Sequence, residues 1–233
     1  MIDMAICLCL DKRKEFIPKL RMDIKNILGL ELKEFWCGDG QDPEIKYDHI
    51  DIPKEQCAQF LERPAEHSMK GHANAFLCHK KMLFKASCYE RVLFLEDDAY
   101  FIEGRWKSLA EFGKKQIHED DYDALYLGWQ GREHPNDSDD MDVAEEYYKL
   151  TGQGRIDSCR IGGPKISGLH GIVMTQPLME YLVNVDKGPL DSYLNSDWAL
   201  DCFNMFYIRP KIIGSKACFS YCEQKWQPRS QLE

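Results

Sequence analysis

The sequence predicts an α/β domain, on three observations. Short apolar runs rich in β-formers alternate with amphipathic stretches of helical period, which is the pattern of a sheet covered by helices. The chain of 233 residues fits one domain, 1–233, large enough to bury a core. Finally, "RVLFLEDDAYF", Arg91 to Phe101, sets three carboxylates directly behind an apolar, β-forming run. Acids at a strand exit suit the edge of an α/β sheet where ligands bind.

In chain order, "MAICLCL" (4–10) is a buried first strand, and "DKRKEF" a charged turn into the amphipathic helix "IPKLRMDIKNILGL". "KEFWC" is a short strand closed by the turn Gly38-Asp39-Gly40. Residues 41–70 are polar and irregular, a surface connection with a short helix around "KEQCAQFLE". From Gly71 to Ser87, Phe76, Leu77, Leu83 and Phe84 mark one helical face, and "RVLFLEDD" is the next strand. "DYDALYLGWQG" is a strand ending in glycine. Residues 131–162, acidic and glycine-rich, are too long for a plain connection and read as a variable or mobile loop. "SGLHGIVMTQPLMEYLVNV" gives a strand and a helix, "PLDSYLNSDWALDCFNMF" another helix, and "YIRPKIIGSKACFSYC" a last strand region before a polar tail, 223–233.

The formal charge of −9 argues against a nucleic-acid partner. No apolar run reaches the roughly 18 residues of a membrane span, and "MIDMAICLCLDKRKEF" lacks the features of a secretory signal. The expectation is a cytoplasmic protein whose ten cysteines are reduced thiols, with Cys7, Cys9 and Cys202 filling apolar runs. Without a CxxC pair, zinc is not expected.

Strand side chains alternate, so Glu96 and Asp98 are expected on one side of their strand and Asp97 on the other. Crowded carboxylates are best stabilised by a hard divalent cation, magnesium or manganese, which keeps positions open for phosphate oxygens. The plain alternative is a solvated turn or helix cap. No GxxxxGK[ST] loop and no GxGxxG follow the first strand, which weakens ATPase and dehydrogenase readings.

"GHANAFLCHKKMLFKASCYERVLFLEDDAYF" resembles the central motif of family 25 glycosyltransferases, the group of lipopolysaccharide sugar transferases and procollagen galactosyltransferases. The family's Ser-His pair stands here as Cys78-His79, which keeps the histidine and loses the hydroxyl. "AICLCLDKRKEF", "FWCGDG", "YDALYLG", "SGLHGIVMTQPLMEYL" and "GPLDSYL" resemble further family segments in the same order, with Cys9 where an Asn is usual. The likeness covers most of the chain except 41–70 and 131–162.

The resemblance implies a single-domain GT-A type fold, a Rossmann-like mixed central sheet flanked by helices, and a UDP-sugar or other nucleotide-diphospho-sugar donor. It implies Mn2+ or Mg2+ at a DxD-like motif, and transfer with inversion to a hydroxyl on a glycan or protein. Glu96 and Asp98, with His170, are the expected metal ligands. Lys12, Arg13, His79 and Asp97 are expected at the nucleotide or diphosphate. The base that deprotonates the acceptor is expected among Asp191, Asp197 and Asp201. Asp191 matches the family's Pro-hydrophobic-Asp position and equally suits an N-cap. Asp197 and Asp201 are four residues apart on one helix face. His72 and His79 also fit structural roles, His170 fits a turn, and Lys12 and Arg13 fit solvated surface charge. Two other readings are kept: a non-catalytic sugar-nucleotide binder of the same fold, and a metal phosphoesterase.

Overall fold

A computed structural model of the chain describes residues 2–37, 66–104, 122–128, 146–150, 169–185, 190, 194, 199, 202–209, 211–216, 218–220 and 225–227. Its centre is a mixed seven-stranded sheet flanked by helices. In chain order the strands of this sheet are β1 (Met4–Leu10), β2 (Leu32–Cys37), β3 (Arg91–Glu96), β5 (Ala124–Tyr126), β6 (Glu146–Leu150), β7 (Ile172–Thr175) and β8 (Met205–Arg209). They lie in the order β2-β1-β3-β7-β5-β8-β6. Strand β1 is parallel to β2 and β3, and β5 is parallel to β8, whereas β7 is antiparallel to both β3 and β5. The carboxyl ends of β1, β3, β5 and β8 therefore share one sheet edge with the start of β7.

Alternation along the buried strands builds two cores. Ala5, Cys7 and Cys9 of β1 with Leu93 and Leu95 of β3 face helix α1 (Ile17–Leu28), which buries Ile17, Leu20 and Ile24 at helical spacing. Helix α1 carries proline in its first turn and ends on Gly29, whose φ of 71° suits glycine and whose N–H bonds the Lys25 carbonyl. On the other face Ile6, Leu8, Val92 and Phe94 meet α2 (Glu66–Ala86) and α3 (Gln176–Val183) through Phe76, Met82, Leu83, Leu178 and Leu182. Two small ribbons complete the described elements: β4 (Ala99–Phe101) with β9 (Ile213–Ser215), and β10 (Cys218–Ser220) with β11 (Lys225–Gln227).

Several expectations are corrected. The stretch 131–162, expected as a loop, contains β6, whose Tyr147 and Tyr148 favour a strand and whose backbone pairs antiparallel with β8. The polar tail contains β11, because backbone pairing with β10 needs no apolar side chains. The last strand region divides into β8, β9 and β10. Helix α2 starts at Glu66 and so takes residues 66–70 from the expected connection. Cys202 is exposed. Cys37 and Cys78 are joined in a disulfide, since packing α2 on the sheet brings their Cα atoms to 6.2 Å, within disulfide range. Cys7 and Cys9 are free and buried. The Gly38-Asp39-Gly40 turn and the helix at "KEQCAQFLE" lie outside the described residues. Among those residues no helix is long and apolar enough to cross a membrane.

Phe94 sits at the centre of this packing, 1% exposed. Phe94→Ala should cost about 3–5 kcal/mol in urea unfolding, while Met22→Ala, at a 55% exposed position, should stay within about 0.5 kcal/mol of wild type.

Candidate functional site

The end of β3 sends its acids to different partners, and the strand's own period explains the first division. Glu96 follows the parity of Phe94 and lies on the α2 side, while Asp97 follows Leu95 toward the α1 side. Register pairs Leu8 of β1 with Glu96, so the last residues of β1 run alongside the acids. The Leu10 N–H donates to Asp97 Oδ2 at 2.8 Å. A 3-10 turn, Asp11–Phe16, then folds Arg13 back, and this residue leaves helical geometry at φ −124° and ψ 15°. Arg13 Nη1 reaches Asp97 Oδ1 at 2.8 Å and Asp98 Oδ2 at 3.3 Å.

Asp98 thus joins Asp97 at Arg13 instead of siding with Glu96. The reason is local: the strand ends at Glu96, and the turn at Asp97 and Asp98 before β4 carries Asp98 off the side that continued alternation would give it. The Arg13, Asp97 and Asp98 side chains are 12%, 3% and 9% exposed, which makes this a largely desolvated group of charges. Burial pushes the Asp97 carboxyl up to about 6; attraction to Arg13 and the Leu10 N–H oppose the rise, and repulsion from Asp98 adds to it.

On the other face His79 Nε2 lies 3.6 Å from Glu96 Oε1, a charge contact beyond hydrogen-bond length. Burial pushes the Glu96 carboxyl up, but attraction to His79, with smaller help from His170 and Arg13, brings it below the usual carboxylate range. His170, fully buried, precedes β7 at the same edge. The backbone there is close-packed: a Cβ on Gly128 would lie 2.6 Å from the Ile213 carbonyl oxygen and 3.1 Å from His170 Cδ2. Glycine at the end of the "LYLG" strand is what lets Ile213 cross beside it.

Of the residues singled out in sequence, the fold brings Arg13, Glu96, Asp97, Asp98, His79 and His170 to one edge. Lys12 is in the same turn and exposed. Asp191, Asp197 and Asp201 lie outside the described residues; their neighbours Leu190, Leu194 and Ala199 are helical and buried.

Lys216, missed in the sequence, also belongs to this edge. Its N–H donates to the Asp98 carbonyl at 2.8 Å, and its Nζ lies 4.3 Å from the Phe16 ring centre. Burial, then repulsion from Lys19, lowers its pKa, while Asp98, Asp23 and Asp97 draw it up. Lys211, 1% exposed, sits just before Ile212 and Ile213, whose N–H groups bond the Leu127 carbonyl past the end of β5. Both lysines are distant from the triplet in sequence, and only the pairing of β9 with β4 brings Lys216 there.

Carboxylate oxygens are the donors a hard divalent cation takes, but here the Leu10 N–H and Arg13 take both oxygens of Asp97, and Arg13 also reaches Asp98 Oδ2. Among the described residues no three His, Cys, Asp or Glu side chains are gathered to hold a metal by themselves. Oxygens of a bound phosphate would have to complete such a shell.

No protein-family model matches the chain, and no curated protein matches it. Among solved structures it is similar to a glycosyltransferase involved in the glycosylation of the major capsid of PBCV-1, with 12% identity, a TM-score of 0.40, and 88% of this chain and 81% of that one covered. It is also similar to A197 from STIV, with 12% identity, a TM-score of 0.37, and 96% and 92% covered. A third is the inositol-1-phosphate CTP transferase from T. maritima, with 13% identity, a TM-score of 0.36, and 88% and 85% covered. At these scores the functional reading rests on the chain's own residues.

Arg13→Ala leaves two desolvated carboxylates without their cation and should lower unfolding free energy by about 3–5 kcal/mol near neutral pH. A folded-state value above the unfolded one means that the stability contributed by Asp97 is full below about pH 4 and is lost as pH rises through about 6. Asp97→Asn should therefore flatten the stability profile across that interval in urea titrations.

Proposed function

We propose that this chain is a metal-dependent glycosyltransferase of the GT-A type, moving a sugar from a nucleotide-diphosphate donor, UDP-sugar first, to a hydroxyl acceptor on a glycan or protein. The observation that carries the reading is the carboxylate group Glu96-Asp97-Asp98 at the carboxyl edge of a mixed α/β sheet, braced by Arg13 and joined by Lys216. That edge is where such folds bind ligands, and the motif resemblance gives it a chemistry.

In this reading Asp98, Glu96 and His170 would hold Mn2+ or Mg2+, Asp98 from the Arg13 side and Glu96 from the His79 side. The ion would supply Lewis-acid stabilisation of the diphosphate leaving group. Asp97 keeps a positioning role, because its two oxygens are taken by Leu10 N–H and Arg13. Arg13 fixes both aspartates, and its fork of donors also suits a phosphate oxygen. Lys216 would face the same negative charge, while Lys12, exposed in the turn, suits the nucleotide side. His79 holds Glu96 in place from α2. One of Asp191, Asp197 and Asp201 would take the acceptor proton as the hydroxyl attacks the anomeric carbon, inverting it.

A panel of nucleotide sugars with manganese, scored by thermal shift and by released nucleoside diphosphate, tests the reading. The expected result is a uridine-specific response that is lost with EDTA and falls by about two orders of magnitude or more in Asp98→Ala. Full turnover with EDTA would refute the metal, saturable binding without nucleotide release would mark a binder, and phosphate release without sugar transfer would mark a phosphoesterase.

A further inference from the structure

Cys37 is the last residue of β2, and strand register sets it beside Leu10 of β1, the residue whose N–H holds Asp97. Cys78 stands on α2 immediately before His79, the residue that meets Glu96. The disulfide between them ties α2 to the sheet at the level of the carboxylates, with β1 lying between its strand and theirs. Both cysteines are buried, 6% and 7% exposed, and Asn74, one helical turn before Cys78, donates from Nδ2 toward Cys37 Sγ at 3.5 Å. One covalent bond therefore joins the strand beside the Leu10–Asp97 contact to the helix that carries His79.

We propose that the Cys37–Cys78 bond is a redox latch on this site. Formed, it clamps the His79-bearing stretch of α2 against the strand edge; reduced, it frees that stretch from β2. A thiol reductant of the glutathione or dithiol class opens it by two exchanges. A thiolate attacks one sulfur to give a mixed disulfide, and a second thiol then displaces the protein sulfur. Two electrons and two protons pass to Cys37 and Cys78, and the reductant leaves as a disulfide. Burial limits access, so the latch changes state over minutes to hours and stores the redox history of its surroundings. Among the described residues the free thiols stand apart from it: Cys7 and Cys9 lie on the opposite face of β1, and Cys88 and Cys202 are exposed. Loss of donor affinity on reduction rests on the proposed function, whereas the coupling of the bond to the His79 stretch does not.

The test compares non-reduced wild type, wild type treated with a phosphine reductant, Cys37→Ser and Cys78→Ser, with Cys202→Ser as control. Peptide mapping after alkylation should find Cys37 linked to Cys78 only before reduction. Opening a loop with a sequence separation of 41 should lower the melting temperature by about 10 °C. Amide exchange should quicken in 32–37 and 74–82 in the reduced protein and in both variants, but not in Cys202→Ser. UDP affinity with manganese should fall several-fold in the same three samples. Alkylation of both cysteines in non-reduced protein, or unchanged exchange at 74–82 after reduction, would overturn the latch. If no form binds UDP, the glycosyltransferase reading fails while exchange and melting still decide the latch. Should a variant not fold, the reduced wild type gives the same comparison.

Discussion

The structure turns on the Arg13 guanidinium held between Asp97 and Asp98. Two carboxylates on successive residues at the end of a buried strand repel each other and lose hydration together. A single nearby cation that donates to both is what lets the chain leave β3 at this point. Arg13 is available because β1 runs parallel beside β3 and the 3-10 turn after it folds back over the strand ends. Packing of the edge and placement of its charges are therefore one event. Burial still pushes the Asp97 carboxyl above the usual carboxylate range, so the compensation is incomplete.

The sheet's directions decide what else arrives there. A wholly parallel sheet would collect only strand exits. Here β7 runs against its neighbours, so His170 enters the edge from the start of a strand, and glycines at 128 and 171 leave room for Ile213 to cross. That crossing leads into β9 and its partner β4, which carries Lys216 to the Asp98 carbonyl. Chain segments roughly a hundred residues apart in sequence thus meet around one pair of aspartates.

Long periodic elements were legible in the sequence: β1, α1, α2 and β3 follow from alternation and helical spacing, and the opposite facing of Glu96 and Asp97 follows from strand period alone. Asp98 was not legible, since its direction depends on where the strand stops. Strand β6 was hidden because two tyrosines sit in an acidic, glycine-rich surround. The Cys37–Cys78 bond was hidden because no spacing rule joins cysteines 41 apart. Lys216 had no local signal, as its partner is a backbone carbonyl brought by tertiary pairing.

In the proposed function this edge would hold a divalent cation jointly with a diphosphate. The most direct test is a titration of Mn2+ into the protein, followed by electron paramagnetic resonance, with and without UDP. Weak binding of the ion alone and tight binding once UDP is present are expected, both lost in Asp98→Ala. Equal manganese affinity with and without UDP, or binding that survives the loss of Asp98, would contradict it.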